Sequence, residues 1–239
     1  QPKVSVSERC VVGAEALTRL QNEDGSIIPP DVFIPVLESS GKILELDWYV
    51  MRFVFSKIRD WLDEGKKPQK ISVNLSKIHF YYDTLVDDII REFEKHQISP
   101  EYVEFEITES VFFEEADLII SKIERLREYG FKVSVDDFGA GYSSLNLIRE
   151  MPWKILKIDK SFLPVGNEED DEDVQKKVML KHIIGMAQNL GLECIAEGVE
   201  TAEQVTILKE NNCYLAQGYL FDRPLPVEQF VERLEALME

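Results

Sequence analysis

Strand-like and helix-like segments alternate along the whole chain, and this alternation constrains the fold more than any other feature of the sequence. Short runs rich in β-branched and aromatic residues predict strands, and longer segments with apolar residues three and four positions apart predict helices. Such alternation is typical of a parallel sheet covered by helices. The predicted strands are residues 4–6, 10–19, 70–75, 102–108, 132–136, 155–159, 193–197 and 215–220. The predicted helices are residues 30–39, 44–64, 82–96, 114–129, 143–150, 173–190, 201–211 and 227–237.

The number of alternating units indicates how the sheet is arranged. Eight predicted strands suggest closure into a barrel. Only residues 7–9 separate the first two strands, and a parallel crossover needs about a dozen residues or more, so these two strands should form an antiparallel hairpin. The residues therefore predict one irregular α/β barrel, in a single domain over residues 1–239.

Composition narrows the kinds of partner. The chain of 239 residues has 27 Lys and Arg against 45 Asp and Glu, a formal net charge of −18. Phosphates that approach this surface are repelled, which argues against nonspecific DNA binding and against direct membrane contact. An anionic substrate would need cations to bridge it to the protein. No apolar run approaches the roughly 18 residues of a membrane span and no signal peptide opens the chain, so we expect a cytoplasmic location.

Cysteine and histidine usage argues against several kinds of site. The cysteines Cys10, Cys194 and Cys213 lie far apart without a CxxC pair, which argues against a disulfide framework and a structural zinc site. The histidines, which share no spacing and are expected to be ordinary surface or groove residues, are His79, His96 and His182. Residues 168–173 (EEDDED) are expected to form a solvated loop because like charges repel, with metal binding as the alternative.

The predicted strands end in polar residues. Active sites of barrels lie at the carboxyl ends of the strands, so polar residues there are candidates for chemistry. Each of these ends carries a carboxylate or a side-chain amide, and Lys157 is the only cation among them. The strand-end residues are Glu15, Asn74, Glu106, Glu109, Asp136, Asp137, Lys157, Asp159, Glu197, Glu200 and Gln217. Converging carboxylates repel one another unless their charge is compensated.

A divalent metal is the simplest compensation for these carboxylates. Oxygen ligands from Asp, Glu and Asn suit Mg²⁺ or Mn²⁺, whereas the Cys and His ligands of zinc are missing from these strand ends. The adjacent Asp136 and Asp137 suggest that one carboxylate bridges two ions while its neighbour serves the second. Two ions about 3.5–4 Å apart can activate a water and stabilise the leaving oxygen in phosphoryl transfer. The alternative is a solvated acidic rim without an ion.

Lys157 and the segment after the Asp pair each allow two interpretations. The lysine can orient an attacking water or stabilise charge on a phosphate, or it can form a salt bridge with the acidic rim. Residues 137–144 (DFGAGYSS) contain a GxG, which by itself is more often a tight turn than a phosphate cradle. Its place directly after the Asp pair favours a mobile or positioning loop over the site.

In their order along the chain, these residues resemble the EAL family of cyclic di-GMP phosphodiesterases. The naming triplet is Glu15-Ala16-Leu17, with Arg19 two residues further on. The other matching segments, which together span essentially the whole chain, are residues 33–35 (FIP) with Glu38, 73–76 (VNLS), 106–109 (EITE), 136–144 (DDFGAGYSS), 157–159 (KID), 196–200 (AEGVE) and 217–219 (QGY). The departures from the family pattern, none of which removes a metal ligand, are Leu20, Asn212, Tyr214 and a long acidic segment over residues 164–173.

The resemblance implies a fold, a reaction and a set of roles. The implied fold is a modified TIM-type (β/α)8 barrel with one antiparallel strand, of the α/β class. The implied reaction is hydrolysis of cyclic di-GMP to linear pGpG with two Mg²⁺ or Mn²⁺ ions per active site. The implied metal ligands are Glu15, Asn74, Glu106 and Asp136 for the first ion, with Asp136 bridging to the second ion and Asp137 ligating it. The other implied roles belong to Lys157 and Glu197 at the catalytic water, Gln217 in the same network, Arg19 at the substrate phosphate, Leu17 in the nucleotide pocket, and Glu109 as anchor of the loop after the Asp pair.

Two other functions would use the same residues differently. The fold could serve as a catalytically silent cyclic di-GMP receptor or dimerisation module, but the complete metal set favours catalysis. An unrelated Mg²⁺ barrel of the enolase type would explain the carboxylates but neither Arg19 nor the loop sequence. The family implies a homodimer. The start at Gln1 suggests a piece of a longer chain with a sensory or cyclase domain upstream, and a membrane-anchored parent would still keep this domain in the cytoplasm.

Overall fold

Strands and helices alternate along the chain much as the sequence pattern predicts. The structure, a computed structural model, describes residues 1–109, 111, 116–138, 152–165 and 171–235. Its strands are β1 (Pro2–Ser5), β2 (Cys10–Ala16), β3 (Leu20–Gln21), β4 (Ile27–Ile28), β5 (Lys70–Asn74), β6 (Val103–Thr108), β7 (Lys132–Phe138), β8 (Ile155–Ile158), β9 (Glu193–Ala196) and β10 (Leu215–Ala216). Its α-helices are α1 (Pro30–Ser39), α2 (Ile43–Asp63), α3 (Leu85–Glu94), α4 (Ala116–Tyr129), α5 (Asp171–Asn189), α6 (Ala202–Glu210) and α7 (Val227–Glu235). Short 3-10 helices cover Lys77–Tyr81, Pro100–Tyr102 and Lys160–Phe162.

Eight strands close into a barrel in the order β1-β10-β9-β8-β7-β6-β5-β2. Strand β1 is antiparallel to both of its neighbours, β2 and β10, and the other neighbouring strands are parallel. The short link between β1 and β2 leaves no room for a crossover, which is the physical reason for the reversed strand. The predicted α/β, modified TIM-type barrel with one antiparallel strand is therefore confirmed.

The chain after β2 differs from the sequence prediction. The predicted strand over residues 10–19 ends at Ala16, where its pairing with β5 ends opposite Val73. A separate antiparallel pair, β3 with β4, follows around a turn in which Gly25 adopts a φ of 87°. A positive φ is easy for glycine, so this residue permits the tight reversal.

The main apolar core lies between the barrel and its helices. Side chains alternate between the two faces of a strand, so every second strand residue points toward the helices. The core residues on strands and helices, each no more than 3% exposed, include Val73, Phe105, Val133, Leu156, Met51, Phe55, Ile89, Ile123, Leu126, Ile184 and Leu208. The remaining strand residues face the barrel interior, and this is the face that carries the strand-end carboxylates.

The acidic segment that precedes α5 differs in part from the sequence prediction. Residues 168–173 were expected to form a solvated loop, but Asp171, Glu172 and Asp173 form the first turn of α5. Asp173 is buried and accepts a hydrogen bond from the Val165 N–H at 2.9 Å, and acidic residues suit the positive end of a helix dipole. Residues 166–170 and the predicted helix 143–150 lie outside the described residues.

Within the described ranges, no helix combines the length and the apolar character needed to cross a membrane.

Candidate active site

Lys157 lies at the centre of the strand-end residues. Its side chain on β8 is 1% exposed, and its ammonium faces four carboxylates from four other strands or strand ends. The distances from Lys157 Nζ are 2.5 Å to Glu106 Oε2, 2.7 Å to Glu197 Oε1, 2.9 Å to Asp136 Oδ1 and 3.4 Å to Glu15 Oε2. Burial lowers the pKa of Lys157, but these carboxylates raise it well above the ordinary value. The lysine is therefore a permanent cation within the site.

The carboxylate oxygens form two groups that share one residue. Glu15, Glu106 and Asp136 offer oxygens that all lie within 4.8 Å of one another. Asp136, Asp137 and Glu197 do the same. The predicted metal-site carboxylates are thus brought together. Asp136 belongs to both groups, as a carboxylate that bridges two ions would.

A backbone irregularity lets two consecutive aspartates serve one site. Neighbouring residues in a regular strand point to opposite faces, so Asp136 and Asp137 would normally diverge. The register between β7 and β8 shifts between Val135 and Phe138, and Asp137 adopts a left-handed φ of 54°. The Asp137 N–H donates a hydrogen bond to Asp136 Oδ1 at 2.9 Å. Bulges of this kind re-aim side chains next to active sites, and Asp tolerates the left-handed conformation better than most residues.

The protein groups of the site leave an excess of negative charge. Burial raises the pKa of Asp136 to about 7, and the carboxylates of Glu106 and Glu15 add to the effect against the opposing Lys157. Burial likewise raises the pKa of Glu197 well above its usual range. Glu106 differs, because Lys157 and Lys3 overcome its burial and hold its pKa well below the usual range.

Divalent cations would balance this charge. Five carboxylates (Glu15, Glu106, Asp136, Asp137 and Glu197) face two ammonium groups (Lys157 and Lys3), which leaves three formal negative charges in excess when every carboxylate is ionised. The donors are oxygens without any thiolate or imidazole, a set that Mg²⁺ and Mn²⁺ prefer. The residues present therefore fit hard divalent ions.

Two amides flank the Glu15 carboxylate. Asn74 Nδ2 donates to Glu15 Oε1 at 3.1 Å, and Gln217 Nε2 donates to Glu15 Oε2 at 2.8 Å. Gln217 is buried, and its Oε1 has no hydrogen-bond partner among the described residues. A buried carbonyl oxygen without a partner is costly unless it accepts a hydrogen bond from a water or ligand. The arrangement thus suits a bound water beside Glu15.

A cleft of about 520 Å³ opens beside the carboxylates. Asn74, Glu106 and Asp137 line it on the barrel side, and α1 lines it on the other side. Leu17 and Arg19, the predicted substrate residues, line both this cleft and a smaller cavity of about 270 Å³. Arg19 is exposed, so its guanidinium is available to an anionic ligand. The larger cleft is the candidate substrate site because it contains residues of both carboxylate groups.

Three other strand-end residues do not belong to the two carboxylate groups, although burial raises the pKa of Asp137 and the charges of Asp159 and Glu109 add to that effect. Glu109 is buried just after β6, but the loop at residues 139–144 that it is predicted to anchor lies outside the described residues. Asp159 accepts a hydrogen bond from the Ser161 N–H at 2.9 Å and caps a 3-10 helix. Glu200 is exposed at the start of the turn into α6.

The pattern of polar strand ends does not identify a second layer of polar residues, which lies deeper inside the barrel than the strand-end residues. Lys3, Ser72, Glu104 and Ser134 are each no more than 2% exposed. Three of them lie two positions before a predicted site residue on the same strand, as Glu104 does before Glu106. Because strand side chains repeat with a period of two, counting back two residues from each strand end would have found these three.

His79 corrects the expectation that the histidines are surface or groove residues. It is 3% exposed, and its Nε2 lies 3.1 Å from Asp47 Oδ2. The same Asp47 oxygen accepts a hydrogen bond from the Ser76 N–H at 3.0 Å. Asp47 and Ser76 line the larger cleft. Neither His79 nor Asp47 lies at the end of a barrel strand, so the pattern of polar strand ends does not identify this pair.

Comparison with known proteins shows similarity over the length of the chain. The family model described as EAL domain matches residues 1–224. Cyclic di-GMP phosphodiesterase NbdA of Pseudomonas aeruginosa is 37% identical over 99% of this chain, which spans 30% of that relative. Probable cyclic di-GMP phosphodiesterase PdeB of Escherichia coli is 37% identical over 98% of this chain, which spans 44% of that relative.

Solved structures with the same fold include two at 30% identity or more. The structure of the PaMucR phosphodiesterase in complex with c-di-GMP is 35% identical, with a TM-score of 0.86 over 96% of this chain and 92% of that one. An EAL domain protein from Listeria monocytogenes is 30% identical, with a TM-score of 0.85 over 99% of this chain and 91% of that one.

Proposed function

Because this chain belongs to the EAL domain family, we propose that it hydrolyses one phosphodiester bond of cyclic di-GMP in a metal-dependent reaction that gives linear pGpG. The observation that carries the proposal is the pair of carboxylate groups that share Asp136 beside a cleft of about 520 Å³. The relatives named cyclic di-GMP phosphodiesterases and the c-di-GMP complex of PaMucR support the choice of substrate.

The metal site in this proposal uses the two carboxylate groups. Glu15, Asn74, Glu106 and Asp136 would hold the first Mg²⁺ or Mn²⁺, and Asp136 and Asp137 would hold the second. Bound ions of this kind supply charge stabilisation at the phosphate and lower the pKa of a coordinated water.

The remaining polar residues orient the water and hold its proton. Lys157 keeps its charge among four carboxylates, so it donates a hydrogen bond to the water and cannot accept its proton. Glu197, whose pKa is raised by burial, suits the role of proton acceptor. Gln217 holds the same water through its unpartnered Oε1.

Substrate contacts come from the segment after β2. Arg19 is exposed beside the cleft, and its guanidinium suits a bidentate contact with a phosphate. Leu17 supplies an apolar wall for the nucleotide. Glu109 anchors the loop after the Asp pair in this proposal.

The setting of the domain is also part of the proposal. The chain spans less than half of the two curated relatives described above, 30% and 44% of their lengths. We infer one EAL-type domain of a longer cytoplasmic or membrane-anchored protein, with a sensory or cyclase domain upstream and a homodimeric assembly. A catalytically silent receptor is not favoured, because every predicted ligand and Lys157 are in place in the sequence.

Incubation of the purified chain with cyclic di-GMP and Mg²⁺ or Mn²⁺ tests the function, with the nucleotides separated by chromatography. We expect linear pGpG to appear with metal and not with a chelator. The Glu15→Ala variant should lose at least about a hundredfold in rate, whereas Glu193→Gln, at an exposed carboxylate at the opposite end of β9 from the site, should keep its rate. Binding of cyclic di-GMP without turnover would instead identify a receptor.

A further inference from the structure

A second buried lysine lies beneath the candidate metal site. Lys3 is 2% exposed, and its Nζ lies 2.7 Å from Glu106 Oε1 and 3.1 Å from Glu104 Oε1. It comes from β1, and in the barrel order β2 and β5 separate β1 from β6, which carries both glutamates. The lysine side chain therefore crosses the barrel interior to reach them.

The contact with Lys3 distinguishes the two oxygens of Glu106. Lys157 holds Oε2 at 2.5 Å, but that ammonium is shared with three other carboxylates. Lys3 holds Oε1 from the layer below, and its other ion-pair partner among the described residues is Glu104. A carboxylate held at both oxygens from different directions has a defined rotation about its side-chain axis. Lys3 thereby sets how Glu106 faces the site.

Glu104 is the second carboxylate that contacts Lys3. It is fully buried, accepts a hydrogen bond from Ser134 Oγ at 3.0 Å, and forms an ion pair with Lys70 at 2.9 Å through its other oxygen. Two buried carboxylates thus converge on one buried ammonium, and the shorter of the two contacts is the one with Glu106. Partners of this kind orient metal ligands, and their removal typically lowers metal affinity by about 10- to 100-fold.

We propose that Lys3 is a positioning residue that orients the Glu106 carboxylate for metal ligation. The inference rests on the proposed function, in which Glu106 is a ligand of the first ion. It assigns a chemical task to the antiparallel strand of the barrel, because β1 is the element that brings this cation beneath the site.

The orienting effect and the charge of Lys3 have opposite consequences for metal binding. Removal of a positive charge alone strengthens the binding of a divalent cation, whereas loss of orientation weakens it. The double variant Lys3→Met/Glu104→Gln removes one cation and one anion, so the net charge is unchanged. Its matched control is Lys70→Met/Glu104→Gln, which makes the same change in charge but keeps Lys3 on Glu106.

Calorimetric titration of Mn²⁺ into each purified protein without nucleotide measures the effect. We expect Lys3→Met/Glu104→Gln to bind the ion about tenfold more weakly than the control, which should stay close to the unmodified protein. Equal affinities in the two double variants, or tighter binding without Lys3, would overturn the proposal. Thermal unfolding of each variant checks that the barrel is intact.

Metal binding by the unmodified protein distinguishes a failure of the Lys3 proposal from a failure of the proposed function. An unmodified protein that binds no divalent ion would contradict the proposed function itself, whereas an unmodified protein that binds normally leaves the comparison of the double variants decisive for Lys3. Should Lys3→Met/Glu104→Gln not fold, Lys3→Gln/Glu104→Gln replaces it, since glutamine is one atom too short to reach Glu106. The same tenfold loss supports the proposal, and unchanged affinity contradicts it.

Discussion

At the scale of single residues, Lys157 shows how one side chain can hold several others in place. Its ammonium contacts carboxylates from β2, β6 and β7 and from the end of β9. Removal of a buried cation leaves its carboxylates to repel one another in a medium that screens charge poorly. The lysine is thus both a partner in the proposed chemistry and the reason that the carboxylates can converge.

The variant Lys157→Met should lower kcat/KM for cyclic di-GMP by at least about a hundredfold, because it removes a charged donor at the proposed water. The control is Lys154→Met, an exposed lysine three residues earlier, which should keep normal turnover. Steady-state kinetics at saturating metal measures both. Near-normal turnover in Lys157→Met would show that the site is wrongly assigned.

Gly218 illustrates a residue that is required for its lack of a side chain. A Cβ at this position would lie 2.2 Å from the backbone N and O of Val199. This close approach lets Gln217 O accept from the Val199 N–H at 3.0 Å and places the Gln217 side chain in the site. Glycine is therefore required at this position of the QGY segment for a steric reason that does not involve substrate.

We expect Gly218→Ala to lower the free energy of unfolding by at least about 3 kcal/mol, since a backbone must move to admit the methyl group. The matched control is Gly185→Ala in α5, where nothing lies within 4 Å of the added Cβ. The free energy of unfolding of that control should rise by about 0.5–1 kcal/mol, because alanine has a higher helix propensity than glycine. Denaturant unfolding of both variants checks the pair, and a stable Gly218→Ala protein would refute the steric argument.

At the scale of elements, strand β7 and the turn between β9 and α6 both position residues of the candidate site. The shifted register of β7 turns two consecutive carboxylates toward one site, which a regular strand cannot do. The turn after β9 carries Glu197 and leads into a capping box in which Thr201 and Gln204 exchange hydrogen bonds. Gln204 Nε2 also donates to Pro164 O at 2.9 Å and ties this turn to the segment after β8.

The variant Thr201→Ala should cost about 1 kcal/mol of stability, because it removes the N-cap hydrogen bond to the Gln204 N–H. Thr206→Ala in the middle of the same helix is the control. Its hydroxyl only donates to Ala202 O, so its removal should change stability by less than about 0.5 kcal/mol. Denaturant unfolding measures both, and equal effects would show that the cap contributes nothing.

At the scale of the whole molecule, net charge and site charge act in the same direction. The chain carries a formal net charge of −18, and its candidate site has a formal excess of three negative charges when every carboxylate is ionised. A polyanionic substrate is repelled by both. In the proposed function, bound metal ions therefore supply positive charge that an anionic substrate needs at this site.

Metal affinity should rise with pH up to about 7. The pKa of Asp136 is raised to about 7, so below that pH a proton occupies a ligand that the ion must displace. One displaced proton changes apparent affinity by about tenfold per pH unit, and the slope should flatten above pH 7. Mn²⁺ titrations between pH 5.5 and 8 check this, with Glu193→Gln, at the exposed start of β9, as a control that keeps the profile. A constant affinity across this range would contradict it.

The sequence by itself determined the fold class, the reversed first strand and the candidate site residues. These follow from periodicity, from the length of one link and from polar residues placed where strands end, all of which are local in sequence. It also placed Glu104 two positions before Glu106, and the period of a strand puts both on one face.

The tertiary structure decided what no local pattern encodes. Barrel closure brings Lys3 from β1 across to Glu106 on β6, the shifted register of β7 re-aims Asp137, and packing buries His79 against Asp47. These contacts join residues far apart along the chain, so they depend on strand order and register. The charge of each residue is written in the sequence, but the burial and the neighbours that give that charge its chemical effect exist only once the barrel has closed.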